Sequence, residues 1–150
     1  MNKPGAVADL FGVAPSPAEI AYPPEDVRAA TLNSQLCRAI STSLKACGLS
    51  RAKVAEAMSS YLGATVSEAM LDAYASPARD SHVINWPRLI ALAHVTGDVR
   101  LLSIGLEQFG VALIDRRHLP YVEMGILDEE KADIARRQAR LRRSVRGGGR

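Results

Sequence analysis

Residues 49–76 read LSRAKVAEAMSSYLGATVSEAMLDAYAS, and this stretch decides the fold. It predicts two short helices joined by a turn. Ser50 is placed to cap the first, since a serine hydroxyl accepts a bond from an otherwise free backbone N–H one turn in. Val54, Ala55 and Met58 follow at helical spacing and share one face. Gly63 supplies the backbone freedom that ends the helix and turns the chain. Ser67 is a second capping residue, and Glu68 behind it suits the positive end of a helix. Met70, Leu71 and Tyr74 form the expected inward face of the second helix. Glu68, Ala69, Asp72 and Ala73 point away from that face, and Pro77 stops the helix.

The flanking sequence continues the same succession of caps and stops. Upstream, Leu36, Ile40 and Leu44 are spaced by four and predict a core helix from Asn33 to Cys47, ended by Gly48. Downstream, residues 76–82 form a loop. Asn85 is expected to cap a helix with Trp86 and Pro87 in its first turn and with Leu89, Ile90, Leu92 and Ala93 buried. Trp86 reads as a packing residue. After Gly97, Asp98 is expected to cap a further helix carrying Val99, Leu101, Leu102, Ile104, Leu106 and Phe109. That segment is apolar around most of its circumference, which implies burial on several sides, as a central post or in a dimer interface. Gly110 closes it. The run Val111 to Ile114 is compatible with strand or helix. Leu119 and Pro120 open a long polar helix to about Arg143. Met124, Leu127, Ile134 and Leu141 lie on one stripe of it, the last three seven apart, as in a short coiled coil.

Three segments together resemble a known family: LKACGLSRAKVAEAM (44–58), VSEAMLDAY (66–74) and LIALAHVTGD (89–98). They are similar to the Cro/repressor type of helix-turn-helix DNA-binding domain. The shared features are the Gly48-Leu49-Ser50 helix start, the small Ala55, the Val66-Ser67 opening of the recognition helix and the Leu89, Leu92, Ala93, Thr96, Gly97, Asp98 helix end. The resemblance spans residues 32–102 and extends to the small regulators of temperate and Mu-like phages. In one respect the chain departs from the pattern. Several extra residues separate Ala55 from Ser67, so Met58 to Thr65 must extend the first helix or lengthen the turn. The resemblance implies double-stranded DNA as partner. Ser67, Glu68, Ala69 and Asp72 would face the major groove, with Arg51, Lys53 and Arg79 on phosphates. Arg79 reads equally well as a solvated side chain.

The chain has 150 residues, long enough for one core with tails. Alternating strand patterns are absent, so the expected class is all-α: about five short helices followed by a long basic one. The expected organisation is a mobile Pro-rich arm (1–31), a helix-turn-helix domain (32–114) and a basic C-terminal helix with a flexible tail (115–150). The net charge of +3 says less than its distribution. Residues 131–150 hold eight basic groups and one acidic, a balance of +7. The preceding 130 hold eleven basic and fifteen acidic, a balance of −4. Arg136, Arg137, Arg140 and Arg143 form a broad helical stripe. Arginine's planar fork suits phosphate, so the tail is expected to grip DNA without reading its sequence.

Catalytic constellations are lacking. His82, His94 and His118 are scattered. There is no phosphate loop and no nucleophile elbow. The acidic run Asp128-Glu129-Glu130 reads as a solvated turn pairing with later arginines, because three adjacent residues of a helix do not face one point. Cys37 and Cys47 lack the spacing of a zinc site or disulfide framework and read as buried free thiols. The expectation is therefore a cytoplasmic non-enzyme without cofactor, metal or membrane span. A competing reading keeps the scaffold but makes it a protein-interaction module, adaptor or antitoxin-like. Further partners the chain allows are a second copy, in a homodimer, or a protein reached through the N-terminal arm or the C-terminal helix. The Asp9-Leu10-Phe11 of that arm is similar to the tail of sliding-clamp-binding peptides but lacks their leading glutamine.

Overall fold

The computed structural model describes residues 18–78 and 82–147. It divides into two units, Met1–Leu113 and Ile114–Arg150. The described residues are all-α, with six α-helices and three short 3-10 turns and no strand.

In the first unit, α1 (Pro24–Val27) precedes α2 (Leu32–Ala46), which Thr31 caps by accepting from the Ser34 N–H. Ser50 caps α3 (Arg51–Leu62), Ser67 caps α4 (Glu68–Tyr74) and Asn85 caps α5 (Trp86–Thr96), each through its side-chain oxygen. Each cap satisfies a donor that the helix cannot satisfy itself. The extra residues between Ala55 and Ser67 lengthen α3, which runs on to Leu62. Gly63 then takes φ +64°, a left-handed conformation that side chains adopt only at a cost, and the chain reverses.

One core joins these helices. Ile40 of α2, Val54 and Met58 of α3, Leu71 of α4, Leu92 of α5 and Leu101 beyond it are fully enclosed. Each buried side chain of this size contributes about 1.5–3 kcal/mol of transfer free energy. Cys37 is buried, whereas Cys47, expected buried, is only half-buried and packs against that core.

Several expectations are corrected. The segment after Asp98 is not one greasy helix. It is two 3-10 turns, Val99–Ser103 and Glu107–Phe109, in which Leu101 alone is buried and Phe109 is 74% exposed. The break falls at Gly105, whose φ of +87° brings the Leu32 side chain to 3.1 Å from where a Cβ would stand. Ala73 is buried, not solvent-exposed, at 3% exposure. Trp86, expected to pack, stands at the first position of α5 and is 63% exposed. Within the segment grouped with the mobile arm, Tyr22 is a core residue at 4% exposure. Residues 111–113 are neither helix nor strand; the Ile20 N–H donates to the Leu113 carbonyl at 2.7 Å. The rest of the arm, including Asp9-Leu10-Phe11, lies outside the described residues.

The second unit contains α6 (Leu119–Gly147), reached through the turn Arg116–His118 that Asp115 caps. No residue of α6 is buried. It runs past Arg143 to Gly147, and what supports it locally is its backbone ladder and ion pairs one turn apart. Asp128 meets Lys131 at 3.3 Å and Asp133 meets Arg136, each pair a small stabilising term.

Candidate nucleic-acid interface

The α3–turn–α4 unit is closed by a residue whose role periodicity does not reveal. Ser59, on the last turns of α3, accepts the Val66 N–H at 2.8 Å. Its single hydroxyl proton is shared between the carbonyls of Ala55 at 2.8 Å and Val66 at 3.2 Å. Val66 is itself buried. The start of α4 is thereby tied to α3 by a side-chain brace and an apolar anchor. Ser67 then caps α4 through the Met70 N–H at 3.2 Å. Leu71, Ala73 and Tyr74 bind α4 to the body, and the Tyr74 hydroxyl accepts from Arg88 at 2.8 Å. Ser67, Glu68, Ala69 and Asp72 are exposed.

Two of the candidate residues meet each other. Arg51 Nε lies 3.3 Å from Asp72 Oδ1. An arginine expected on phosphate and a carboxylate expected at bases thus form one ion pair linking the start of α3 to the outer face of α4. At 29% and 64% side-chain exposure it is a surface pair of small energetic weight. It nevertheless offsets one of the two negative charges on the outward face of α4. Lys53 is exposed on α3. Arg79 lies outside the described residues. The arginines of α6 belong to the second unit. Arg136 is paired with Asp133, while Arg137, Arg140 and Arg143 are exposed and hold no ion pair among the described residues.

A second polar cluster lies at the far end of α5, where the sequence shows only the capping role of Asp98. The Tyr22 hydroxyl donates to Asp98 Oδ2 at 2.7 Å, and Arg100 grips the same carboxylate with both arms of its fork, at 2.8 and 3.0 Å. The Arg100 guanidinium also stands 4.3 Å from the centre of the Tyr22 ring. Beside it, Ser43 donates to Thr96 at 3.1 Å. Burial, then the bond to Asp98, raises the Tyr22 hydroxyl well above its ordinary range. Burial alone would raise the Asp98 carboxyl, but the bonds from Arg100 and Tyr22 outweigh it and hold the group below its usual value. The bond to Asp98 in turn raises Arg100. A shallow hollow of about 300 Å³ opens here, lined by Cys47 and Gly97 among others. Its charged groups are satisfied by one another, which marks the cluster as structural. The signal for it in the sequence is a lone tyrosine in a Pro-rich stretch.

Among the described residues, no three His, Cys, Asp or Glu side chains gather as a metal site requires, and no buried side-chain polar atom lacks a partner. No helix among them is long and apolar enough to cross a membrane. Comparisons with protein families, curated proteins and solved structures find no match to this chain.

Proposed function

We propose that the chain is a DNA-binding regulator of the helix-turn-helix kind, such as temperate phages carry, with α3 as the supporting helix and α4 as the recognition helix. The observation that carries this reading is α4 itself. Its inner face is fixed to the core and its start is braced by Ser59 and Val66. Its outer residues Ser67, Glu68, Ala69 and Asp72 meet solvent together. Helix-turn-helix proteins read base edges with the first residues of such a helix. Glu68 is suited to accept from a cytosine amino group. Arg137, Arg140 and Arg143 of α6 supply phosphate contact independent of sequence.

A second reading has its own support. The Arg51–Asp72 pair consumes the nearest cation, and the outer face of α4 carries no arginine, lysine, asparagine or glutamine. Such a face also suits a protein partner with basic groups.

Fluorescence anisotropy with duplex DNA at several salt concentrations, preceded by selection of bound sequences from a random pool, separates the two. On the DNA reading, the selected pool converges on a motif, and Glu68→Ala changes which sequences bind. Truncation after Glu130 weakens every duplex and lowers the salt slope by about 0.9 for each phosphate that the missing arginines neutralise. An unenriched pool together with no binding at low salt would leave the protein-interaction reading standing.

A further inference from the structure

We propose that α6 pairs antiparallel with α6 of a second copy of this chain, along the line Leu127, Ile134 and Leu141. These side chains are 53%, 58% and 61% exposed, and Val145 continues the line at 80%. More than half of each aliphatic side chain therefore stands in water, on a helix with no buried residue. Exposed aliphatic side chains repeating along one stripe of a helix are the pattern by which helices pair, with Glu130, Lys131, Arg137 and Gln138 standing between them. The sevenfold spacing keeps the row on one side of a helix that supercoils around a partner.

The charges select the partner and its direction. From Leu119 to Asp133, α6 carries five acidic groups and one basic, a balance of −4. From Ile134 to Gly147 it carries six arginines and no acidic group, a balance of +6. Parallel pairing would set like half against like half. Antiparallel pairing sets each acidic half against a basic one. The apolar row has the same symmetry. Leu127 and Leu141 are each seven residues from Ile134, so a two-fold axis through Ile134 places Leu127 of one copy against Leu141 of the other. A two-fold interface is self-complementary in this sense. Glu130 and Arg137 flank the row, four residues before Ile134 and three after. Across the same axis Glu130 of one copy reaches Arg137 of the other. Within the chain Asp128 and Asp133 are engaged by Lys131 and Arg136, whereas Glu130 and Arg137 hold no ion pair among the described residues.

At about 100° per residue, Arg136, Arg140 and Arg143 fall on the side of α6 opposite the apolar row. The pairing takes up Arg137 but leaves these three exposed, so it does not depend on the DNA-binding reading and leaves Arg140 and Arg143 for phosphate.

The test is sedimentation equilibrium of the full chain from about 1 to 100 µM, a range that brackets a weak helical dimer. Three variants accompany it: Ile134→Lys, Glu130→Arg and the double exchange Glu130→Arg/Arg137→Glu. Circular dichroism and the unfolding transition of the body serve as folding controls, and no residue of α6 is buried. The expected result is a wild-type dimer that Ile134→Lys and Glu130→Arg each weaken by about tenfold or more, since a charge is set into the seam or against its like. The double exchange is expected to restore it. A monomeric wild type over the whole range overturns the proposal. So does a dimer indifferent to Ile134→Lys, which would be held elsewhere. Failure of the double exchange to rescue Glu130→Arg also overturns it, because a parallel pair or a different partner gives no such rescue.

Discussion

The two units of this chain are helical for different reasons. In the first, each helix is short, capped at its start and bound to a shared interior through Ile40, Met58, Leu71, Leu92 and Leu101. In the second, a helix of 29 residues has no buried residue at all. Short helices are marginal alone and take their stability from packing, whereas a long one is supported by propagation and by pairs one turn apart. Substitutions should therefore act on the body through contact and on α6 through propensity and charge.

The sharpest break in that contrast should come from truncating the same kind of side chain in each unit. Leu92→Ala, at 0% exposure, should cost about 2–5 kcal/mol in urea unfolding of the body, because it leaves a cavity that the surroundings only partly fill. Ile134→Ala, at 58% exposure, should leave that transition within about 0.5 kcal/mol of wild type. Equal effects would mean that α6 shares the core.

The next effect belongs to the Tyr22–Asp98–Arg100 cluster. Tyr22→Phe removes a bond to a charged carboxylate and should cost about 1.5–3 kcal/mol near neutral pH. The Asp98 carboxyl is held below its ordinary value. Its stabilisation is therefore present above the unfolded-state pKa and is lost as pH falls through the folded-state value. The gap between wild type and Asp98→Asn should accordingly shrink as unfolding is repeated from pH 7 down into the acid range. A gap that widened would contradict the arrangement seen here.

The smallest effect sharpens the comparison from the other side. Gly125 lies inside α6, and a methyl group added there meets nothing within 4 Å. Gly125→Ala should favour the helical state of α6 by about 1 kcal/mol, the difference in propensity between the two residues. Circular dichroism at rising temperature would read it, and the body's transition should not move.

How much of the fold is legible in the sequence follows the range of the interaction involved. Ser50, Ser67 and Asn85 are readable as caps because the donor each satisfies lies three residues away in the same chain segment. The inward face of α2, and most of that of α5, is readable because helical spacing repeats along the sequence, although Ile90, expected inside, is only half-buried and Ala91 is enclosed instead; the outer residues of α4 follow as the complement of its inner face. Ala73 shows where that inference stops. Spacing alone puts it outside, yet it is buried, since the width of the buried face depends on what packs against the helix. The apolar residues from Val99 to Phe109 satisfy the pattern of a buried helix, yet the approach of Leu32 to Gly105, 73 positions away in sequence, accompanies two short turns instead. The sequence by itself determined where most helices begin and end, because capping bonds and glycine stops are made between near neighbours. The tertiary structure alone decided that Ser59 braces the turn, that Tyr22 enters the core to meet Asp98, and that Arg51 pairs with Asp72 instead of standing free. Those interactions join residues 7, 76 and 21 positions apart. Spacing along a chain carries no record of which distant groups the packing of helices will bring within hydrogen-bonding distance.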